Sequence, residues 1–141
     1  MNSVNKAFIE KWAASSDLNA LLDSSNIATG VKRGGDEEYP FATITRPGGT
    51  KDFRTNIDCG EVDQDTIRLA IYGNDDGSDY ETLSEIAHEV RKAFFKWEAT
   101  LDNDRGRISD TIVQPFQEIQ DQDDGWWTFV TDLNLMVSYV F

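Results

Sequence analysis

Apolar residues recur at two spacings along the chain, and the switches between them predict most of its elements. Val4, Phe8, Ile9 and Trp12 fall on one helical stripe. Asn2 or Ser3 can cap that helix, because a short oxygen-bearing side chain satisfies a free amide of the first turn. Ser15-Ser16-Asp17 breaks the stripe and opens a second, short turn whose apolar face is Leu18, Leu21 and Leu22. Asp23 to Asn26 reads as a turn, and Ile27 to Arg33 as a weakly alternating strand. After the Gly34-Gly35-Asp36 turn, Tyr39-Pro40 opens a strand with Phe41, Thr43 and Thr45 on one face and Ala42 and Ile44 on the other.

Thr50 to Asp65 is polar, acidic and poorly patterned, and a hairpin arm around Phe53–Cys59 is one way to organise so long an excursion. Thr66 to Gly73 is a clear strand with Ile67, Leu69 and Ile71 on its core side. Ser78 or Asp79 opens the best helix. Tyr80, Leu83, Ile86, Ala87, Val90, Phe94 and Trp97 hold helical spacing, and Arg91, Lys92 and Lys96 near its end complement the helix dipole. Ile108, Asp110 and Ile112 alternate, with Pro115 limiting that strand or sending it to an edge; Gln117 to Gly125 reads as an acidic loop. From Trp126 to Val140, Trp127, Phe129, Leu133, Leu135, Val137 and Tyr139 alternate with smaller or polar partners, and Phe141 continues the series. Ordinary strands run ~5–6 residues, so this one either bends or reaches beyond its own sheet. The order predicts one α+β domain over residues 1–141. Its sheet is mostly antiparallel, of four to five strands, with two main helices on one face and a long C-terminal strand.

Charge changes the picture next. The chain holds 26 Asp+Glu against 13 Lys+Arg, a formal charge of -13. Residues 1–47 contain 5 basic and 6 acidic side chains, and residues 48–141 contain 8 and 20, so nearly all the excess lies in the C-terminal two-thirds. Such a field argues against sequence-independent nucleic-acid binding and against docking on an anionic membrane. No run of about 18 apolar residues exists to span a bilayer. One cysteine, Cys59, excludes an internal disulfide. Met1 to Glu10 lacks the charged-then-apolar pattern of a secretory signal, so the expected site of synthesis and folding is a cytosol.

Candidate chemistry is sparse. Asp102 to Gly106 and Asp121 to Gly125 resemble the opening of a calcium loop. Both place Gly at the fifth position, where a ligand is required, and neither has Glu at the twelfth. The one histidine, His88, has polar neighbours and fits the solvent side of a helix, which leaves His-based triads and His-rich zinc sites without parts. The expectation is therefore a protein that is not an enzyme and carries no cofactor or metal. Trp126-Trp127 is more informative. Adjacent strand residues point to opposite faces, so one Trp enters the core and the other lies on a second face that needs its own cover. Trp126, Val130, Met136 and Val140 supply apolar area there. Either the protein's own elements or a neighbouring subunit covers it.

The sequence resembles the phage tail-completion family, also called tail terminator or tail-to-head joining proteins. An N-terminal amphipathic helix is followed by the Leu-rich turn Leu18–Leu22 and a strand bearing Gly30. Tyr39-Pro40-Phe41 then opens a strand, Ile67–Tyr72 leads by an Asp/Gly turn into the helix Asp79–Trp97, and Leu133–Phe141 closes the chain. The resemblance implies an α+β subunit that assembles with copies of itself into a ring, usually of six. Such a ring caps the head-proximal end of the tail tube, contacts the tail-tube protein and the head connector, and passes DNA through its lumen without gripping it. The localisation implied is the virion tail, after assembly in the host cytoplasm. A negative lumen suits that role. Asp52, Asp58, Glu61, Asp63, Asp65, Asp121, Asp123 and Asp124 are the candidate lumen or rim carboxylates. A head-side neck adaptor, a small acidic metal-dependent hydrolase and an acidic DNA-mimic inhibitor stand as alternatives.

Overall fold

Two long antiparallel strands form the spine of the protein, β4 (Gly60–Tyr72) and β8 (Trp127–Val140). They pair from Gly60 opposite Val140 to Tyr72 opposite Thr128. The computed structural model describes residues 3–30, 39–47, 54–57, 60–74, 80–101 and 106–140. Each spine strand carries two shorter neighbours, end to end, along its outer edge. On β4 these are β2 (Phe41–Thr45), beside residues 68–72, and β3 (Arg54–Ile57), beside residues 60–63. On β8 they are β7 (Gln117–Gln120), beside residues 127–130, and β6 (Gly106–Val113), beside residues 133–139. β1 (Ile27–Thr29) runs parallel to β2, and β5 (Ala99–Thr100) flanks the start of β6.

The described sheet therefore has eight strands and is mixed, which corrects the expected four to five mostly antiparallel strands. The difference has a physical source. Strands of two and four residues, β5 and β7, carry too little alternation to read, and each is held by hydrogen bonds to a longer partner. The acidic stretch before Asp65 does form a hairpin, with Arg54 opposite Asp63 and Ile57 opposite Gly60. It is the start of β4 itself, six residues ahead of the expected strand at Thr66.

Alternation along the spine sorts its two faces. Ile67, Leu69 and Ile71 of β4 meet Leu133, Thr131 and Phe129 of β8 on the inner face, and all are buried. The helices cover that face: α1 (Ser3–Ala14), the single turn-and-a-half of α2 (Ser16–Leu21) and α3 (Tyr80–Phe94). The expected cap residues Asn2, Ser78 and Asp79 lie outside the described residues. Ser15 does stand at the start of α2, but its hydroxyl donates to the Lys11 carbonyl (2.8 Å) and caps no amide.

The inner face and the helices share one apolar cluster. Its aromatic centre is Phe8, stacked on Phe94 at 4.7 Å, with Trp12 tilted against both and Trp97 edge-on to Phe94. The Trp12 indole N–H donates to the Leu22 carbonyl (2.8 Å), which ties α1 to the end of α2. β6 departs from the expected pattern. A bulge at Ser109 shifts the register, so Ile108 faces the core while Asp110 and Ile112 turn outward and Thr111 is buried in their place. The Thr111 hydroxyl donates to the Trp97 carbonyl (2.9 Å).

Candidate assembly surfaces

The even-numbered positions of the spine make an outer face opposite the three helices. Its middle is polar. Arg68 reaches Asp132 with two hydrogen bonds, 2.8 and 3.1 Å, and Thr66 donates to Asn134 (3.2 Å). This exposed ion pair is worth only about 0.2–1 kcal/mol to the fold. One end of the face is aromatic. Phe41 stacks on Tyr72 at 4.8 Å, and Tyr39 packs on Phe41 and edge-on to Trp126. Beside them Val130 sits opposite Ala70, half-buried, and with Ile119, Pro115 and Arg68 it borders an open depression of about 380 Å³.

The structure thus brings Trp126, Val130 and Met136 to one face, all three half-buried, and places Val140 at the far end of β8 opposite Gly60. Trp127 takes the opposite side and packs edge-on to Tyr80 and Phe129.

The described acidic candidates separate into two groups: Glu61, Asp63 and Asp65 on the first half of β4, opposite Tyr139, Val137 and Leu135, and the β7–β8 turn before Trp127, roughly 26–40 Å away at ~3.3 Å per residue. At the β3–β4 end, Glu61 lies on β4 opposite Asn56. Asp63 is buried at 4% exposure, and Asp65 is ion-paired with Arg46 while accepting from the Thr66 amide. Asp52 and Asp58 fall outside the described residues. At the other end, Asp121, Asp123 and Asp124 are exposed on the β7–β8 turn. Asp121 accepts from the Asp123 and Asp124 amides, and Asp124 from the Trp126 amide, so two of the three carboxylates hold the turn. Gly125 closes it at φ +77, a conformation that glycine adopts without strain.

A cationic groove was not anticipated. The last turns of α3 and the strand β6 border an opening of about 620 Å³ lined by His88, Arg91, Lys92, Lys96 and Phe95, with Asp110 and Ile112 across from them. Among the described residues Arg91, Lys92 and Lys96 have no ion-pair partner; Lys96 lies over the Phe95 ring at 5.5 Å. Phe95 is 70% exposed and Ile112 59%. The clustering of three cations within six residues of an acidic chain is visible in the sequence; their position against β6 is not.

The hairpin β7–β8 is anchored to the start of α3. The Tyr80 hydroxyl donates to the Glu118 carboxylate, 2.5 Å from Oε1. That hydrogen bond, with smaller contributions from desolvation and from the negative charge of Glu118, holds the Tyr80 phenol protonated above its ordinary range. A raised acid pKa in the folded state stabilises the protein below the ordinary tyrosine value, 10.0, and is lost as pH rises through the folded value. In a spectrophotometric phenolate titration, Tyr80→Phe is expected to remove a component that titrates above the ordinary range. Its persistence in Tyr80→Phe would contradict the contact.

The fold defines a class: a mixed α+β sheet with a two-strand spine and the three described helices on one face. No family model and no curated protein matches the chain. Among solved structures, the chain is similar to a chain from the virion of a native gene transfer agent particle. That likeness has a TM-score of 0.66 at 15% identity and covers 92% of this chain and 90% of that one. A second solved chain gives a TM-score of 0.54 at 12% identity over 98% and 94% of the two lengths. At these identities the likeness is one of fold.

Proposed function

We propose that the protein is a structural component of a phage virion. In the finer form of the proposal it is a tail-completion subunit that forms a ring, of six copies by the family resemblance, at the head-proximal end of the tail tube. The observation that carries it is the fold shared over nine-tenths of both chains with a chain of a gene transfer agent virion. The resemblance seen in the sequence points to the same kind of particle.

The surfaces suit such a role. A closed ring needs two different patches on each subunit, and the outer face offers one, with Trp126, Val130 and Met136 on it and a neighbouring copy as its occupant. The two acidic groups lie too far apart to line the same narrow opening. In this reading the lumen lies towards the Glu61 end of β4. DNA passing there meets repulsion, the reverse of a gripping basic groove.

The test is functional. Added to polymerising tail-tube protein from the same phage, the protein is expected to stop tube growth and remain on one end of each tube. Binding to a portal-side protein with no effect on the tube would replace this role by that of a neck adaptor.

A further inference from the structure

The cationic groove and the acidic hairpin tip sit at opposite ends of α3. Tyr80, the first residue of that helix, bonds to Glu118 of the hairpin, whereas Arg91, Lys92 and Lys96 occupy its last turns and the residues just beyond. Fifteen residues at 1.5 Å per residue separate the two ends by about 22 Å. A subunit with complementary patches at its two ends makes a head-to-tail contact, which closes into a ring when the rotation permits.

Charge and apolar exposure agree on what fits the groove. Asp121, Asp123 and Asp124 on the tip match three cations that have no ion-pair partner among the described residues. Of the four large apolar side chains most exposed among the described residues, Phe95 and Ile112 border the groove, Ile119 lies on β7, and Tyr80 is bonded to β7. Both patches therefore combine charge with uncovered apolar surface, the composition of an interface with a polar rim. The edge of β6 beyond Ile108 also pairs with no described strand, since β5 reaches only Arg107 and Ile108. A nucleic acid is the poorer occupant, because its phosphates could meet the cations but it brings no aliphatic side chain to cover Ile112, as Ile119 of the hairpin would.

We infer that the groove between α3 and β6 of one copy receives the β7–β8 hairpin tip of the next. This inference rests on the ring reading only for the closure of the chain of contacts. The residues on the tip side are Asp123 with its neighbours and Ile119; on the groove side they are Arg91, Lys92, Phe95 and Ile112.

The experiment uses two full-length variants. Arg91→Glu/Lys92→Glu reverses the groove. Gln122→Lys/Asp123→Lys neutralises the tip while keeping Asp121 and Asp124, which hold the turn. All four positions are exposed, so both variants should fold, and circular dichroism checks this. Sedimentation velocity at low salt is expected to show oligomers of the wild type that dissociate in about 0.5 M salt, where screening reaches within roughly 4 Å. Each variant alone should associate about 100-fold more weakly or worse. A 1:1 mixture should recover pairing, because the unchanged tip of one variant then meets the unchanged groove of the other.

Variants that assemble like the wild type would overturn the inference, as would a mixture that fails to recover. A wild type that stays monomeric at high concentration and low salt would also overturn it, yet would leave the ring reading standing, since that reading is judged on tail tubes. Binding of a short DNA duplex that Arg91→Glu/Lys92→Glu abolishes would assign the groove to nucleic acid instead.

Discussion

Replacing Trp12 with Ala is expected to destabilise the protein by about 4–5 kcal/mol. Trp12 is fully buried between Phe8 and Phe94, and truncating such a side chain removes its transfer free energy and leaves a cavity, together ~3–5 kcal/mol. The change also strips the Leu22 carbonyl of its donor, and an unsatisfied buried acceptor costs roughly 1–3 kcal/mol. Part of that second cost relaxes if water enters the cavity, so the two do not add in full. Domains of this size are stable by about 5–15 kcal/mol in total, so the variant should lose roughly 15 °C in Tm. Urea denaturation with unchanged slope is the measurement. The adjacent pair Phe94 and Phe95 supplies the control. Phe95 is 70% exposed, and Phe95→Ala should cost less than about 0.5 kcal/mol. A loss under about 2 kcal/mol for Trp12→Ala would show that the α1–α3 packing described here is wrong.

The second large effect is on assembly. Val130→Glu puts a carboxylate on the outer face between Ala70 and the depression bordered by Arg68 and Pro115. In the isolated subunit the position is half-buried and open to water, so the fold should lose no more than about 1 kcal/mol. In a ring that covers the face, the new charge is desolvated at every subunit contact. An uncompensated buried charge costs about 3 kcal/mol or more, which corresponds to at least 100-fold weaker association at each contact. Sedimentation velocity and thermal melting on the same sample separate the two effects. Ring formation at wild-type strength by a folded Val130→Glu protein would remove this face from the interface.

What the sequence made legible follows the range of the forces involved. The alternation of Phe129, Leu133, Leu135 and Val137, and the helical spacing of Leu83, Ile86, Val90 and Phe94, are local consequences of burying one face, and both elements stand where their periods predict. The opposed directions of Trp126 and Trp127 follow from the same pleat.

The misses are non-local. β5 and β7 owe their order to a longer strand alongside, so their own two and four residues carry no signal. The bulge at Ser109 turned Asp110 and Ile112 away from Ile108, an offset set by pairing with β8. Asp63 reads as a solvated acid in its acidic neighbourhood and is buried because β4 extends further than its apolar run. Arg91, Lys92 and Lys96 read as partners of the helix dipole. Only the packing of α3 beside β6 turns them into one wall of a groove.

In the proposed role, copies of this chain close into a ring on the end of a tail tube. Negative-stain electron microscopy of the protein mixed with tail tubes of its own phage tests it most directly. One closed ring at a single end of each tube, with an open centre in end view, is the expected result. Bare tube ends, together with a strictly monomeric particle by light scattering at high concentration, would contradict it.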